Sequence, residues 1–202
     1  DLDDVKALAD FSISRLYPEA PATGADRYRY FFRQVVLRQA RLIADWMALG
    51  FIHGVMNTDN MAVSGETIDY GPCAYMDEFH PAKVFSSIDQ HGRYAWNRQP
   101  EMAHWNLVRL AETLIGLFGE DEDIGTEFAR RTLDEFSPVF EKRFNEAFAA
   151  KFGIEPGLEN LEKALPALFS SMVAGRCDFT RLFTALTRHA EGESQTVVLD
   201  EF

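Results

Sequence analysis

Apolar positions along this chain fall mostly into blocks with helical spacing, interrupted by one short alternating stretch. Residues 1–17 place Val5, Leu8, Ala9, Ile13 and Leu16 close to one stripe, the i, i+3, i+4 pattern of a helix with one buried face. "YPEAPATG" (17–24), with two prolines and a glycine, ends that pattern. "DRYRYFFRQVVLRQARLIADWMALG" (26–50) returns to it. There Tyr28, Phe31, Phe32, Val35, Val36, Gln39, Ala40, Ile43, Ala44 and Met47 mostly follow helical spacing. Asp26 can cap the start and Gly50 the end, so one long helix is predicted.

Beyond Gly50 the period changes. "MAV" (61–63) and "TID" (67–69) are short β-prone runs around "SGE", which predicts a tight hairpin. "GPCAYMDEFHPAKVFSSIDQHGRYAWNRQP" (71–100) has no strong period and is rich in Gly, Pro, Asp and Ser. A segment of that kind is usually functional or packed over a site. "EMAHWNLVRLAETLIGLF" (101–118) is helical again, with Met102, Trp105, Leu107, Val108, Leu110, Ala111, Leu114, Ile115 and Phe118 mainly on one side. A further helical region (121–153) is expected to break near Pro138. "LENLEKALPALFSSMVAG" and "DFTRLFTALTRHA" supply two more helices, and the tail "ESQTVVLDEF" has no readable pattern. Trp96 and Trp105 read as core residues.

The chain is therefore mainly α, with one small β-hairpin near its first third. Its 202 residues are 47% hydrophobic and 26% charged, the balance of ordinary globular material with one substantial core. Seventeen phenylalanines suggest a well-filled interior. The net charge of −12 repels phosphate backbones, which argues against general nucleic-acid or anionic-membrane binding. It leaves room for a single nucleotide, because a bound cation can supply local positive charge. The two cysteines, Cys73 and Cys177, have no metal-site spacing and read as small buried apolar residues in a reducing compartment. No apolar run approaches the roughly 18 residues of a membrane span, and no signal peptide opens the chain. The start "DLDDVKALAD" has no initiator Met and lies inside a helical pattern, as in a piece of a longer protein.

The chemistry concentrates in "HGVMNTDNMAVSGETIDYG" (53–71). With Ser64 and Gly65 as a two-residue turn, Val63 would pair with Glu66, Ala62 with Thr67, Met61 with Ile68 and Asn60 with Asp69. Directly opposed residues project to one side, so an amide oxygen and a carboxylate would converge. Few hard oxygens with room for phosphates suit Mg²⁺. The plain alternative is an Asx cap and a turn aspartate, both common in loops. Asp59 would point away from Asn60 on an extended segment, yet it could reach a substrate hydroxyl if the loop turns there. A solvated loop aspartate is the other reading.

The stretch also follows the protein-kinase pattern of H-R-D-x-x-x-x-N, hairpin and D-F-G, whose Asn and Asp hold the metal. The order helix, loop, hairpin, D-x-G, long segment and helical bundle is that of a kinase C-terminal lobe. One element is missing: Val55 stands where a kinase has its catalytic Asp. His53 is expected to be structural, Gly54 and Gly71 to relieve backbone crowding. Arg93 could touch a phosphate or acceptor, or simply pack.

"HGVMNTDNM", "TIDYGPCAYMD", "DQHGRYAWNRQP" and "WNLVRLAETL" together resemble the selenoprotein O (SelO or YdiU-like) family, most specifically over residues 50–118. The resemblance implies a pseudokinase fold and protein adenylylation: AMP passes from ATP to Ser, Thr or Tyr hydroxyls of proteins. ATP would be bound inverted relative to kinases, which moves the reacting phosphorus away from the missing base. By position, the family's proton acceptor falls on Asp59 and its Mg²⁺ ligands on Asn60 and Asp69, with Asp69 also beside the nucleotide. Mn²⁺ is the alternative ion. The implied organisation is one kinase-like C-lobe over 1–202: catalytic loop and hairpin 50–71, activation-segment-like region 72–100, helical bundle 101–190. The Gly-rich loop and phosphate-contacting Lys of an N-terminal lobe are not recognisable, so the chain alone is expected to be inactive. The implied partners are ATP and hydroxyl-bearing proteins, not nucleic acid or membrane. The implied location is the cytoplasm of a bacterium or the mitochondrion of a eukaryote. Two other readings stay open: a phosphotransferase using Asp59 as base, and a catalytically inactive scaffold.

Overall fold

The computed structural model describes residues 1–155, 159–192, 194 and 196–199. Its helices are α1 (Leu2–Leu16), α2 (Ala25–Ala48), α3 (Gln99–Leu114), α4 (Glu122–Leu133), α5 (Phe136–Lys151), α6 (Glu159–Gly175), α7 (Phe179–Ala190) and α8 (Thr196–Leu199). Two short strands, β1 (Phe51–Ile52) and β2 (Ala74–Tyr75), pair antiparallel with Phe51 opposite Tyr75 and Ile52 opposite Ala74. Single 3₁₀ turns lie at Thr58–Asn60, Trp96–Arg98 and Ile115–Leu117. The architecture is thus mainly helical with one small two-stranded sheet. That sheet is not the expected hairpin. The hairpin survives as a single antiparallel bridge, Met61 with Thr67.

The chain forms two compact units. The first comprises Asp1–Leu42, Met56–Asp69 and Pro100–Phe140. Its core is built on the apolar stripe of α2, where Phe31, Phe32, Val35 and Val36 are buried together with Ile13 of α1. Phe32 meets Phe118 at 5.3 Å, Phe118 meets Phe128 at 5.1 Å, and Tyr17 stands edge-on to Phe31 at 5.4 Å. Each such buried side chain is worth about 1.5–3 kcal/mol. Arg29 donates from Nε to the Phe118 carbonyl at 2.6 Å, satisfying a carbonyl left over at the end of the 3₁₀ turn.

The second unit comprises Ile43–Val55, Tyr70–Gln99 and Glu141–Phe202. Phe79 is its hub: it stacks on Phe169 at 5.0 Å and Phe179 at 5.9 Å, and takes Trp96 edge-on at 5.4 Å. Gly50 lies directly under Phe179, where a Cβ would come within 2.8 Å of the ring. Backbone bonds from Phe79 N–H to Cys177 O (2.8 Å) and from Phe179 N–H to Asp77 O (2.7 Å) tie the irregular segment to the start of α7.

Local differences from the sequence expectation have simple causes. Asp26 lies in the first turn of α2 instead of capping it, where its charge still favours the positive end of the helix. Pro138 does not break a helix. The break falls at residues 134–135, and Pro138 is the third residue of α5, where a first-turn N–H has no intrahelical partner to lose. Trp96 is buried as expected, but Trp105 is 39% exposed. The Arg109 guanidinium lies over its ring at 5.2 Å. Cys177 is buried and Cys73 half-buried, and neither is disulfide-bonded. The expected helix from Leu158 begins at Glu159, its first residue lying outside the described ones, as do residues 193, 195 and 200–202 of the tail, whose Thr196–Leu199 form α8.

Candidate active site

In the second unit the approach to the loop is fastened by one side-chain amide. Gln99 Nε2 donates to Phe51 O at 3.0 Å, and its Oε1 accepts from the His53 N–H at 3.0 Å. His53 is fully buried and stacks on Trp46 at 5.3 Å, a structural residue as expected. Gly54 adopts φ +89°, and a Cβ there would stand 2.6 Å from the Pro72 carbonyl oxygen. Only glycine fits that close approach.

In the first unit the continuation of the loop is held the same way. Asn106 Nδ2 of α3 donates to Met56 O at 3.0 Å, and Gln39 Nε2 of α2 donates to Ala62 O at 2.7 Å. The Tyr17 hydroxyl donates to Val63 O at 2.5 Å, and Arg38 Nη1 to Ser64 O at 3.3 Å. Arg38 also covers the Tyr17 ring at 4.2 Å. Burial pushes the Tyr17 hydroxyl up to about 12, against the pull of the neighbouring Arg38 charge. The loop carbonyls are therefore spoken for before any ligand arrives.

The hairpin register differs from the expected one. Met61 faces Thr67, and Gly65 N–H donates to Ala62 O at 3.0 Å. The loop is thus three residues, Val63 to Gly65. A two-residue loop needs a positive φ at Ser64, and only Gly65 takes one, at +76°. Its missing side chain matters too: a Cβ would lie 2.5 Å from Arg38 Cβ. Continued outward, this register sets Asn60 opposite Ile68 and Asp59 opposite Asp69, not Asn60 opposite Asp69. Nor does the pairing continue. Thr58–Asn60 coil into a 3₁₀ turn, with Asn60 N–H donating to Asn57 O at 3.0 Å. Successive side chains there are about 120° apart, so the alternation that would turn Asp59 away from Asn60 does not operate.

All three expected site residues lie in the first unit, on the two limbs flanking that bridge. Asp59 is exposed, Asn60 half-buried and Asp69 exposed. Asp69 has φ +55°, the left-handed region that non-glycine residues seldom enter. Such outliers are held by their surroundings and cluster at functional sites. No group of three or more His, Cys, Asp or Glu is arranged to hold a metal among the described residues. Arg93 belongs to a packed segment: its N–H and that of Tyr94 donate to the two Asp89 carboxylate oxygens at 2.8 and 2.7 Å.

Gln39, Gln99, Asn106 and Tyr17 were not legible as loop-holding residues. Two left a trace. Gln39 stands on the apolar stripe of α2 beside Val35 and Val36, and Asn106 lies four residues from both Met102 and Leu110. An amide on an apolar face needs a buried partner, and here the partner is loop backbone.

The chain is mainly helical and carries Asp59, Asn60 and Asp69 on the two limbs flanking one bridge. A family model described as protein adenylyltransferase SelO matches residues 1–201, and the chain belongs to the SelO family. It is 49% identical over 187 residues to a protein nucleotidyltransferase YdiU of Lachnoclostridium phytofermentans, covering 93% of this chain and 38% of that protein. The YdiU proteins of Agrobacterium fabrum and Brevibacillus brevis are each 46% identical, over 96% and 100% of this chain and 40% and 41% of theirs. The chain thus spans about two fifths of the length of these relatives.

Proposed function

We propose that the protein containing this chain transfers AMP from ATP to hydroxyl groups of proteins, with Asn60 and Asp69 as metal ligands and Asp59 as proton acceptor. The observation that carries the reading is Asp69, an exposed carboxylate held at φ +55° beside the bridge whose other limb leads to Asp59 and Asn60. Family membership and the relatives' names support nucleotidyl transfer. Order along the chain supports a kinase-like C-lobe, completed by a nucleotide-clamping lobe elsewhere in the parent protein. The chain alone is expected to be inactive.

The donor set suits Mg²⁺: an amide oxygen and a carboxylate are hard ligands, too few to exclude phosphate oxygens. A bound Mg²⁺ would neutralise charge on the phosphates. Asp59 takes the proton of the acceptor hydroxyl as its oxygen attacks the α-phosphorus. The new O–P bond forms while the bond to the β-phosphate oxygen breaks, and pyrophosphate leaves. Val55, two residues after His53, offers no proton-accepting group. A base one residue before the metal-binding Asn suits attack on a differently placed phosphorus.

The test uses the full-length parent with ATP labelled at the α- or the γ-phosphate. Transfer of the α-label to protein, abolished by Asp69→Ala, is expected. Transfer of the γ-label would make the protein a kinase. ATP binding with movement of neither label would make it a scaffold.

A further inference from the structure

The cavity beside the Thr58–Asn60 turn is lined in part by Gln39, Asn106 and Arg109. Gln39 Oε1, Asn106 Oδ1 and Arg109 Nε are sealed within the packing, however, and offer a ligand no contact. A charged group that does line an open cleft lies in the second unit. That cleft, of about 550 Å³, is walled by Leu49, Tyr75, Ala150, Lys151 and Phe183, with threonines of α7 along one side. Its rim is apolar and wet: Leu49 is 54% exposed and Tyr75 62%, while Phe183 is buried. Tyr75 is set in place by its edge-on contact with Phe51 at 5.5 Å.

Lys151 is the last residue of α5. Its Nζ lies 4.5 Å from the Phe183 ring centroid and 5.5 Å from that of Phe179, two rings that meet edge to face at 5.3 Å. Among the described residues this amine has neither an ion pair nor a hydrogen bond, whereas Lys6 pairs with Asp10 and Lys142 with Glu146. No Asp or Glu lines the cleft. Burial, with no charged neighbour to offset it, draws the Lys151 amine below the ordinary lysine range. The ring faces recover part of an ammonium's lost hydration, but a partly desolvated cation still lacks its anion. A carboxylate brought against it would favour the charged form.

One monovalent cation among apolar walls is complemented by a single negative charge on an apolar body. Phosphate suits the cleft poorly. The Thr184 and Thr187 hydroxyls already donate to Thr180 O at 3.0 Å and Phe183 O at 3.1 Å, so donors that several phosphate oxygens would need are spent within α7. The volume lies within the roughly 300–1,000 Å³ of small-molecule sites. A net charge of −12 turns anions away from most of the surface, which leaves an unpaired cation in a cleft as the place where one can settle.

We propose that the cleft between the end of α5 and α7 is a binding site for a small monocarboxylate with an apolar body. Its carboxylate pairs with Lys151 Nζ, and its hydrocarbon lies on Phe183, Leu49 and Tyr75.

The experiment titrates the full-length parent protein, by calorimetry, with octanoate, its neutral isostere octanamide, and acetate. Octanoate is expected to bind at least about tenfold tighter than either, because the amide lacks the charge and acetate the apolar body. Lys151→Met keeps an apolar stem on the two rings and should reduce the preference for octanoate over octanamide to less than about twofold. Ala150→Phe fills the opening from an exposed position and should weaken octanoate binding at least about tenfold. Its thermal midpoint checks folding, and it carries the test alone if Lys151→Met does not fold. Equal binding of acid and amide, no binding of octanoate at millimolar concentration, or a preference that survives both substitutions would each overturn the proposal. Displacement of octanoate by equimolar inorganic phosphate would make the cleft a general anion site. Binding of a pentapeptide of Leu and Glu with none of octanoate would make it a protein-docking surface. Either result overturns the proposal as well.

Discussion

Replacing Asp69 separates backbone strain from chemistry. At φ +55° an L-residue pays about 1–2 kcal/mol in the left-handed region, least for Asn and Asp. Glycine pays nothing sterically there but loses about 0.4–1 kcal/mol more chain entropy on folding. Asp69 is exposed, so little packing is lost on substitution. Asp69→Gly should therefore be as stable as the parent or about 0.5 kcal/mol more so. Asp69→Asn should match the parent, Asp69→Ala should fall about 1 kcal/mol below Asp69→Gly, and Asp69→Val about 2 kcal/mol below it. Urea titration of the full-length protein reads these differences as shifts in midpoint at constant slope. Activity should follow a different order. On the proposed reading every variant loses the charge of a metal ligand, worth several kcal/mol in the transition state, at least about a hundredfold in rate. The Gly variant would then be the most stable and still inactive. If Asp69→Val were within 0.5 kcal/mol of Asp69→Gly, the left-handed conformation would not exist in solution and the carrying observation would fall with it.

Other expectations are equally direct. Gly54→Ala adds a Cβ 2.6 Å from Pro72 O at φ +89°, so a loss of about 3 kcal/mol is expected by chemical denaturation; a loss under 0.5 kcal/mol would contradict the geometry. Tyr17→Phe leaves Val63 O without its donor and should cost about 1–2 kcal/mol. Tyr17 also carries a pH signature. Its folded pKa of about 12 lies above the ordinary 10, so its contribution is complete below pH 10 and is lost as pH rises from 10 towards 12. Tyr17→Phe should flatten the stability curve in that window, and an unchanged slope between pH 9 and 11 would refute the burial argument. At the acid end, burial alone would raise the Asp10 pKa, but hydrogen bonds from Arg27 and Lys6 hold it below the usual value. Its contribution is present above pH 4 and lost as pH falls further, a slope that Asp10→Asn should remove in acid titration.

Much of the helical frame was legible in the chain itself. The stripes of α2 and α3 and the interruption at 17–24 follow from apolar spacing, because a helix with one buried face repeats its side chains every 3.6 residues regardless of what it packs on. The residue types around Asp59, Asn60 and Asp69 were legible as well, since hard oxygens near a hairpin carry their chemistry in their identity. Register was not. A hairpin of three residues per limb fits either a two- or a three-residue loop, and the choice turned on Gly65 pressing against Arg38 and on a bond from Tyr17 that starts 46 residues away in the chain. The left-handed Asp69 and the 3₁₀ turn under Asp59 were hidden for the same reason: local preference disfavours the first and is indifferent to the second. The pocket of Gln39, Asn106 and Arg109 lay furthest from view. Its polar side chains come from two helices some 70 residues apart in the chain, and only packing against the loop decides which of their atoms are satisfied.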